Sequence, residues 1–364
     1  MASSVQTLYT KYQQKYPLYN KEKIVDMMLD DGVITFEDAN KIKSCASLFL
    51  IDNKFDNKNS SNNNFNITEI WGGNFSTSKK QSKTDFNSKI EPTFQSDKQG
   101  DCWLLSDINA LNTTTWGKQA IRDAIIPDKN SKGGVTINFK GSPLKEKNIY
   151  ISAQQIERAK QSGNYSKGDD DMIAFELATE IVYRKMVKQG IAKRICTDEE
   201  LQQQKINYRS YINSGVATKD FQQYPISKLL GMETIELNFF IINGYNSSNP
   251  QKEKDKILKF ISTQKTNLAI WCAFAGEFEN KYVLYSNHAY TIKKMECNKE
   301  VILIDPYYSD KEIRMAWKDF KNLINAATCS FNDTNLKNKI KQHLPNYYNI
   351  KNEEYQKRYN TFYQ

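Results

Sequence analysis

Cys102 stands in the run KQGDCWLL, residues 98–105, where a glutamine, a glycine and an acid lead a thiol straight into a large apolar cluster. A thiolate attacks carbonyl carbon well, but a free thiol with a pKa near about 8.5 is mostly protonated at neutral pH. A helix N-terminus, a neighbouring imidazolium and a water-poor cleft would each activate it. Apolar residues at 103, 104, 105, 108 and 111 form the stripe of a core-facing helix. That places Cys102 in the helix's first turn, with the amide dipoles aimed at its sulfur. A tetrahedral intermediate would then need donors, which the Gln99 side-chain amide and the Cys102 N–H would supply. Gly100 lets the chain turn sharply between those two.

Any histidine base must be one of two, because the chain contains only His288 and His343. His288 lies in YSNHAYTI, which reads as a strand, and LIDPYYSD puts Asp305 at the end of the next apolar run, before a proline that stops it. Two adjacent antiparallel strands would bring Asp305 beside His288, where its carboxylate holds the imidazole tautomer. His343, in IKQHLPNYY, has no acid placed by a strand end and reads as a surface residue. A blander reading stays open on residue pattern alone: a buried cysteine is often a small hydrophobe, and spacing cannot prove a triad between distant residues.

The elements that must position these groups follow from periodicity. Residues 1–50 read as short helices, and the segment LDDGVITFEDA within them lacks the alternating oxygen ligands and terminal glutamate of a calcium loop. Residues 51–69 include NKFDNKNSSNNNFN, too polar to build a core, and read as a flexible linker. The compact part is expected over 70–335, with a charged, tyrosine-rich tail over 336–364. DDDMIAFELATEIVYRKMVKQG is an amphipathic helix with acids at its start and a glycine after its end. GGVTINFKG and KNIYISAQQI read as strands, as do TNLAIWCAFAG, YVLYSNHAYTIKKMEC and KEVILIDPYYSD in one antiparallel sheet. A helical first half with the cysteine and a sheet-rich second half with the histidine predict an α+β domain of two lobes.

Composition narrows the function. Net charge is +9, from 51 Lys and Arg against 42 Asp and Glu, yet the lysines are scattered with no tight basic run, so nucleic acid is not the expected partner. The six cysteines are well separated without a CxxC, which argues against a structural zinc site. No apolar run approaches the roughly 18 residues of a membrane span, and no apolar h-region opens the sequence. The expectation is a cytoplasmic protein with reduced thiols, or one exported without a classical signal peptide, as an effector or toxin would be.

The run QGDCWLL resembles the active-site signature of the calpain family of cysteine proteases. NHAYTI is similar to that family's His block, with Asn287 in place of a glycine, and DDMIAFELATEIVYRKM, FQQYPISKLLG and EIRMAWKDFKNLI resemble later blocks in the same order. The likeness covers residues from about 70 to 325. It implies a papain-like core of two lobes, helical first and antiparallel second, with Gln99 in the oxyanion hole, Cys102 as nucleophile and His288 as base. The family's third residue is an asparagine followed by proline and tryptophan, where this chain has Asp305, Pro306 and Tyr307. An aspartate orients the imidazole equally well and favours its charged form more strongly.

The resemblance admits calcium as a cofactor, since eukaryotic relatives are calcium-activated, but no metal-ligand set is assigned in this sequence. The expected activity is endoproteolysis of protein substrates. A transglutaminase or acyltransferase would use the same triad, and a binding module could keep the fold without catalysis. The small helical segment at the front would contact the protease core or serve as a recognition module.

Overall fold

The computed structural model divides the chain into two compact units, Met1–Lys79 and Lys80–Gln364. It describes residues 99–128, 133–196, 210–218, 224–239, 250–274 and 288–344, with positions 86, 90, 94–96, 282, 284 and 285 beside them and 9, 11, 12, 24, 25 and 28 in the first unit. Those first-unit positions are helical, and Tyr9, Ile24, Val25 and Met28 are buried. The linker expected over 51–69 lies outside the described residues, as does the stretch after Leu344.

The second unit is α+β, with antiparallel sheets, and it holds two hydrophobic cores. Helix α1 (Cys102–Leu111) leads the first core, with Leu104, Leu105, Ile108 and Leu111 removed from solvent. Full burial of each such side chain contributes about 1.5–3 kcal/mol. Helix α2 (Thr115–Ala124) starts where the Thr114 hydroxyl accepts from Gly117 N at 3.0 Å. A three-stranded sheet follows in sequence order, β1 (Ile125–Pro127), β2 (Val135–Asn138) and β3 (Asn148–Ile151). Strands β2 and β3 fall in the two segments of the first half that the sequence reads as strands, and β1 is the addition.

One strand prediction is corrected. KNIYISAQQI does not run on as a strand: it ends at Ile151, and helix α3 (Ala153–Ser162) begins. The Ser152 hydroxyl accepts from Gln155 N at 3.2 Å, and Gln155 Oε1 accepts from Ser152 N at 2.9 Å. This reciprocal capping box satisfies two backbone donors that a helix start otherwise leaves free. The long helix α4 (Asp170–Lys188) forms as the periodicity predicts, with Asp170 and Asp171 in its first turn and Lys185 and Lys188 in its last, complementing the helix dipole. Strands β4 (Ala192–Arg194) and β5 (Val216–Thr218) pair beside it, and the single-turn helices α5 (Tyr211–Ser214) and α6 (Ile226–Leu229) lead toward the second core.

That core surrounds a six-stranded antiparallel sheet. Its strands are β6 (Glu233–Asn238), β7 (Ala269–Phe274), β8 (Ala289–Met295), β9 (Glu300–Ile304), β10 (Glu312–Ala316) and β11 (Ile324–Phe331), in the order β10-β9-β8-β7-β11-β6. Helices α7 (Pro250–Thr263), α8 (Trp317–Leu323) and α9 (Thr334–His343) supply apolar side chains to the same core, among them Ile257, Phe320 and Ile340. Packed structure thus continues through α9, past the expected end of the compact part at residue 335.

Helix α1 belongs to the first core but docks on this sheet, since Ala269, Trp271 and Ala289 share a cluster with Leu104 and Ile108. Polar bonds fix the docking. Ser106 Oγ donates to Ala289 O at 2.9 Å, and Thr291 Oγ1 donates back to Ser106 O at 2.8 Å. Asp107 Oδ2 accepts from Ser227 N at 2.8 Å, and Ser227 is in turn bonded to Ser330 of β11. Ser106→Ala would leave the buried Ala289 carbonyl without its side-chain donor, at a cost of about 1–3 kcal/mol. Urea unfolding should show that loss, and unchanged stability would mean that apolar contact alone docks the helix.

Candidate active site

Cys102 is the first residue of α1, as the apolar stripe predicts, and is half-buried against the first core. Its N–H is among those a helix start leaves without an intrahelical acceptor. Asp101 occupies the N-cap position but makes no side-chain bond to the helix, so no cap competes for the first amides. Among the described cysteines, Cys102, Cys272, Cys297 and Cys329 are free thiols. Burial pushes the Cys272 thiol well up and that of Cys329 up to about 12, which keeps both unreactive.

The expected histidine–acid pair is present. Strands β8 and β9 are adjacent and antiparallel, with Thr291 opposite Ile304. His288 therefore precedes one strand where Asp305 follows the other. His288 sits just outside the strand rather than within it. Its Nε2 lies 2.8 Å from Asp305 Oδ1, and both side chains are buried. Asp305 Oδ1 also accepts from Tyr307 N at 2.9 Å, so the carboxylate caps the short 3-10 turn Pro306–Tyr308 that the proline starts. A carboxylate at Nε2 fixes that nitrogen as the N–H bearer and leaves Nδ1 for the Cys102 thiol, which is within hydrogen-bonding reach of the ring. Burial works against charge on His288, but the bonds and negative charges of Asp305 and Cys102 outweigh it, and the imidazole is pushed up to about 9.

Aromatic rings wall in this imidazole. Tyr307 stacks on it with centroids 5.0 Å apart and planes 11° off parallel, while Tyr285 and Tyr290 meet it edge-on. They limit water at the ring and restrict its rotation. His343 is elsewhere: it ends α9, its Nδ1 is bonded to Lys339 O, and its ring stacks on Phe260.

Gln99 is buried, and a residue that sequence reasoning missed orients it. Gly100 N donates to Asn213 Oδ1 at 2.9 Å. The Asn213 amide must then turn its Nδ2 the other way, and it donates to Gln99 Oε1 at 2.6 Å. With its oxygen so engaged, Gln99 keeps both Nε2 hydrogens available to donate. Asn213 sits in α5, held by α4: Glu180 Oε2 accepts from Ser210 Oγ at 3.1 Å and from Ile212 N at 3.0 Å. Trp103 reaches the same turn, donating from Nε1 to Ile212 O at 3.1 Å and stacking on Tyr183. Asn213 lies 114 positions from Gln99, so no local sequence signal announces the pair.

Among the described residues no group of three or more His, Cys, Asp or Glu side chains is placed to hold a metal ion. No helix among them is long and apolar enough to cross a membrane. No protein-family model matches the chain, and no curated protein matches it.

The His288 pKa gives a direct check. It lies above the ordinary value of about 6.5, so the folded state gains stability from the imidazolium. That gain is complete below about pH 6.5 and is lost as pH rises through about 9. With only two histidines to resolve, NMR of labelled imidazoles should find His288 titrating near 9. Asp305→Asn and Cys102→Ala should each lower that value; a midpoint near 6.5 in the unmutated protein would refute the assigned contacts.

Proposed function

We propose that this chain is a calpain-like cysteine endopeptidase with a papain-like, two-lobed core. In this reading Cys102 is the nucleophile, His288 the general base and later the acid, Asp305 the orienting residue, and Gln99 an oxyanion donor. One observation carries it: a thiol at a helix start lies within bonding reach of an imidazole whose far nitrogen is held by a buried carboxylate at 2.8 Å. The signature QGDCWLL and the order of its companion blocks support the same assignment.

In this reading the mechanism is acyl transfer through Cys102. A peptide carbonyl placed over Cys102 meets the sulfur on one side, with the Cys102 N–H and Gln99 Nε2 on the other. Attack forms a C–S bond and moves the carbonyl electron pair onto oxygen, where those two donors stabilise it. His288 gives its Nδ1 proton to the departing amine, which leaves an acyl-thioester on Cys102. The neutral imidazole then takes a proton from water, whose oxygen attacks the thioester and releases the acid. Asp305, by holding Nε2–H, keeps the ring in the tautomer that both steps need. The protein substrate is cut at the peptide bond held over Cys102. A cytoplasm, its own or that of another cell, suits reduced thiols of this kind.

A transferase would run the same first half and differ only in the acceptor. The aspartate in the third position favours that second reading, because charge on the orienting group raises the imidazole's basicity toward an amine acceptor. Incubation with an unfolded protein substrate, followed by mass spectrometry of the products, separates the two. Hydrolysis gives new chain termini, whereas transfer gives isopeptide crosslinks. New termini are expected from the unmutated protein and from His343→Ala, and none from Cys102→Ala or His288→Ala. Gln99→Ala should lower kcat by on the order of a hundredfold with little change in KM. Cleavage that survives Cys102→Ala would end the proposal, and a folded, soluble protein without either product would favour a binding role.

A further inference from the structure

Asp101, immediately before Cys102, buries both carboxylate oxygens, and neither meets an N–H or O–H donor from another residue. It faces another acid instead. The carboxyl of Glu176, on the first half of α4 and also fully buried, lies within hydrogen-bonding range. Glu176 is anchored from its other side by Ser166, whose N lies 3.1 Å from each carboxyl oxygen and whose hydroxyl donates to Oε2. Two carboxylates in contact and shut away from water cannot both be ionised. A proton held between them gives the orphaned Asp101 oxygen the donor it otherwise lacks.

We propose that Asp101 and Glu176 form a proton-sharing carboxyl dyad that positions the Cys102 end of α1 and sets a single negative charge beside the Cys102–His288 pair. Its catalytic consequence rests on the cysteine-protease reading, but the shared proton does not. Glu176 is the protonated partner. Burial and the Asp101 charge push its pKa well up, and its three contacts from Ser166 only partly offset this. Asp101 is raised by burial as well, but the bond from Glu176 and the His288 charge hold it back. Other titratable groups ring the pair: Tyr165, raised by burial and by Glu180 and Glu176, with Arg184 of α4 pulling the other way. Both acids are positioning residues, since neither touches the reacting atoms.

The dyad ties three chain segments together at the nucleophile. Ser166 precedes α4, Glu176 is on it, and Asp101 begins α1. The one charge it keeps favours the His288 imidazolium, in the same sense as Asp305. A second charge there would strain the burial of both acids and oppose a thiolate at Cys102. The shared proton satisfies both demands.

Three measurements on the full chain test this. At neutral pH, difference infrared spectroscopy should show the carbonyl stretch of a protonated carboxyl that disappears in E176Q. The folded protein keeps a proton that the unfolded chain releases above about pH 4.5, so stability falls as pH rises from there toward the folded pKa of Glu176. The melting temperature should therefore drop more steeply between pH 5 and 8 in the unmutated protein than in E176Q, whose amide makes the same bond without titrating. In pH–rate profiles E176Q should leave both limbs in place, whereas D101N, which removes the charge, should move both to lower pH. A missing infrared band, or equal melting slopes, would overturn the dyad. Limbs unmoved by D101N would overturn its influence on the catalytic pair. A protein without peptidase activity would remove the protease reading while leaving the infrared and melting results to decide the dyad.

Discussion

The docking of α1 against the six-stranded sheet is the constraint on which the site depends. Cys102 and His288 are 186 positions apart and are supported by different cores. The contact of that helix with β7 and β8 brings them into register. Apolar burial supplies the attraction, but it is non-directional and would tolerate sliding. The paired bonds of Ser106 with Ala289 and Thr291 remove that freedom, one residue from His288 and four from Cys102. A displacement of about 1 Å between nucleophile and base can cost on the order of a hundredfold in rate, so this fixing matters to chemistry as well as to stability.

Around that contact the site is layered by the range of its interactions. The His288–Asp305 pair is set by sheet register, and the proline-started turn gives the same Asp305 oxygen a second donor. The Gln99 side is set differently, by an amide relay from Gly100 through Asn213 to Gln99, supported on α4 by Glu180. Helix α4 thus holds the donors through its middle turn and meets Asp101 through Glu176 a turn earlier. Acids that would each be costly to bury alone are tolerated because each is bonded or shares a proton. Their concentration near Cys102 makes the electrostatics of the site the property of a network, which single deletions will not divide cleanly.

Much of this was legible in the sequence, and the reasons are physical. The stripe after Cys102 and the acid-to-base polarity of α4 are local patterns, and local patterns fix helices. Asp305 could be paired with His288 because strand ends are marked by a proline and because neighbouring runs in a meander pair antiparallel. The boundary after Ile151 was also written locally, as Ser152 and Gln155, but the alternation of NIYI masked it. Asn213, Ser106 and Glu176 were not legible. Their partners lie far along the chain, and each residue type is common at surfaces, so nothing local distinguishes them. Helix α7, with Ile257, Leu258 and Ile261 on one face of a lysine-rich segment, carries the helical period yet looks like solvated chain by composition.

The central claim is that Cys102 is a nucleophile made competent by His288. Its most direct test is trapping the acyl-enzyme: rapid mixing with an activated peptide ester, quenching in acid, and intact-mass and peptide analysis of the protein. The account predicts one acyl adduct, on Cys102, formed within the burst, absent in Cys102→Ala and strongly slowed in His288→Ala. An adduct spread over several cysteines, or one on Cys102 that forms equally fast without His288, would contradict it.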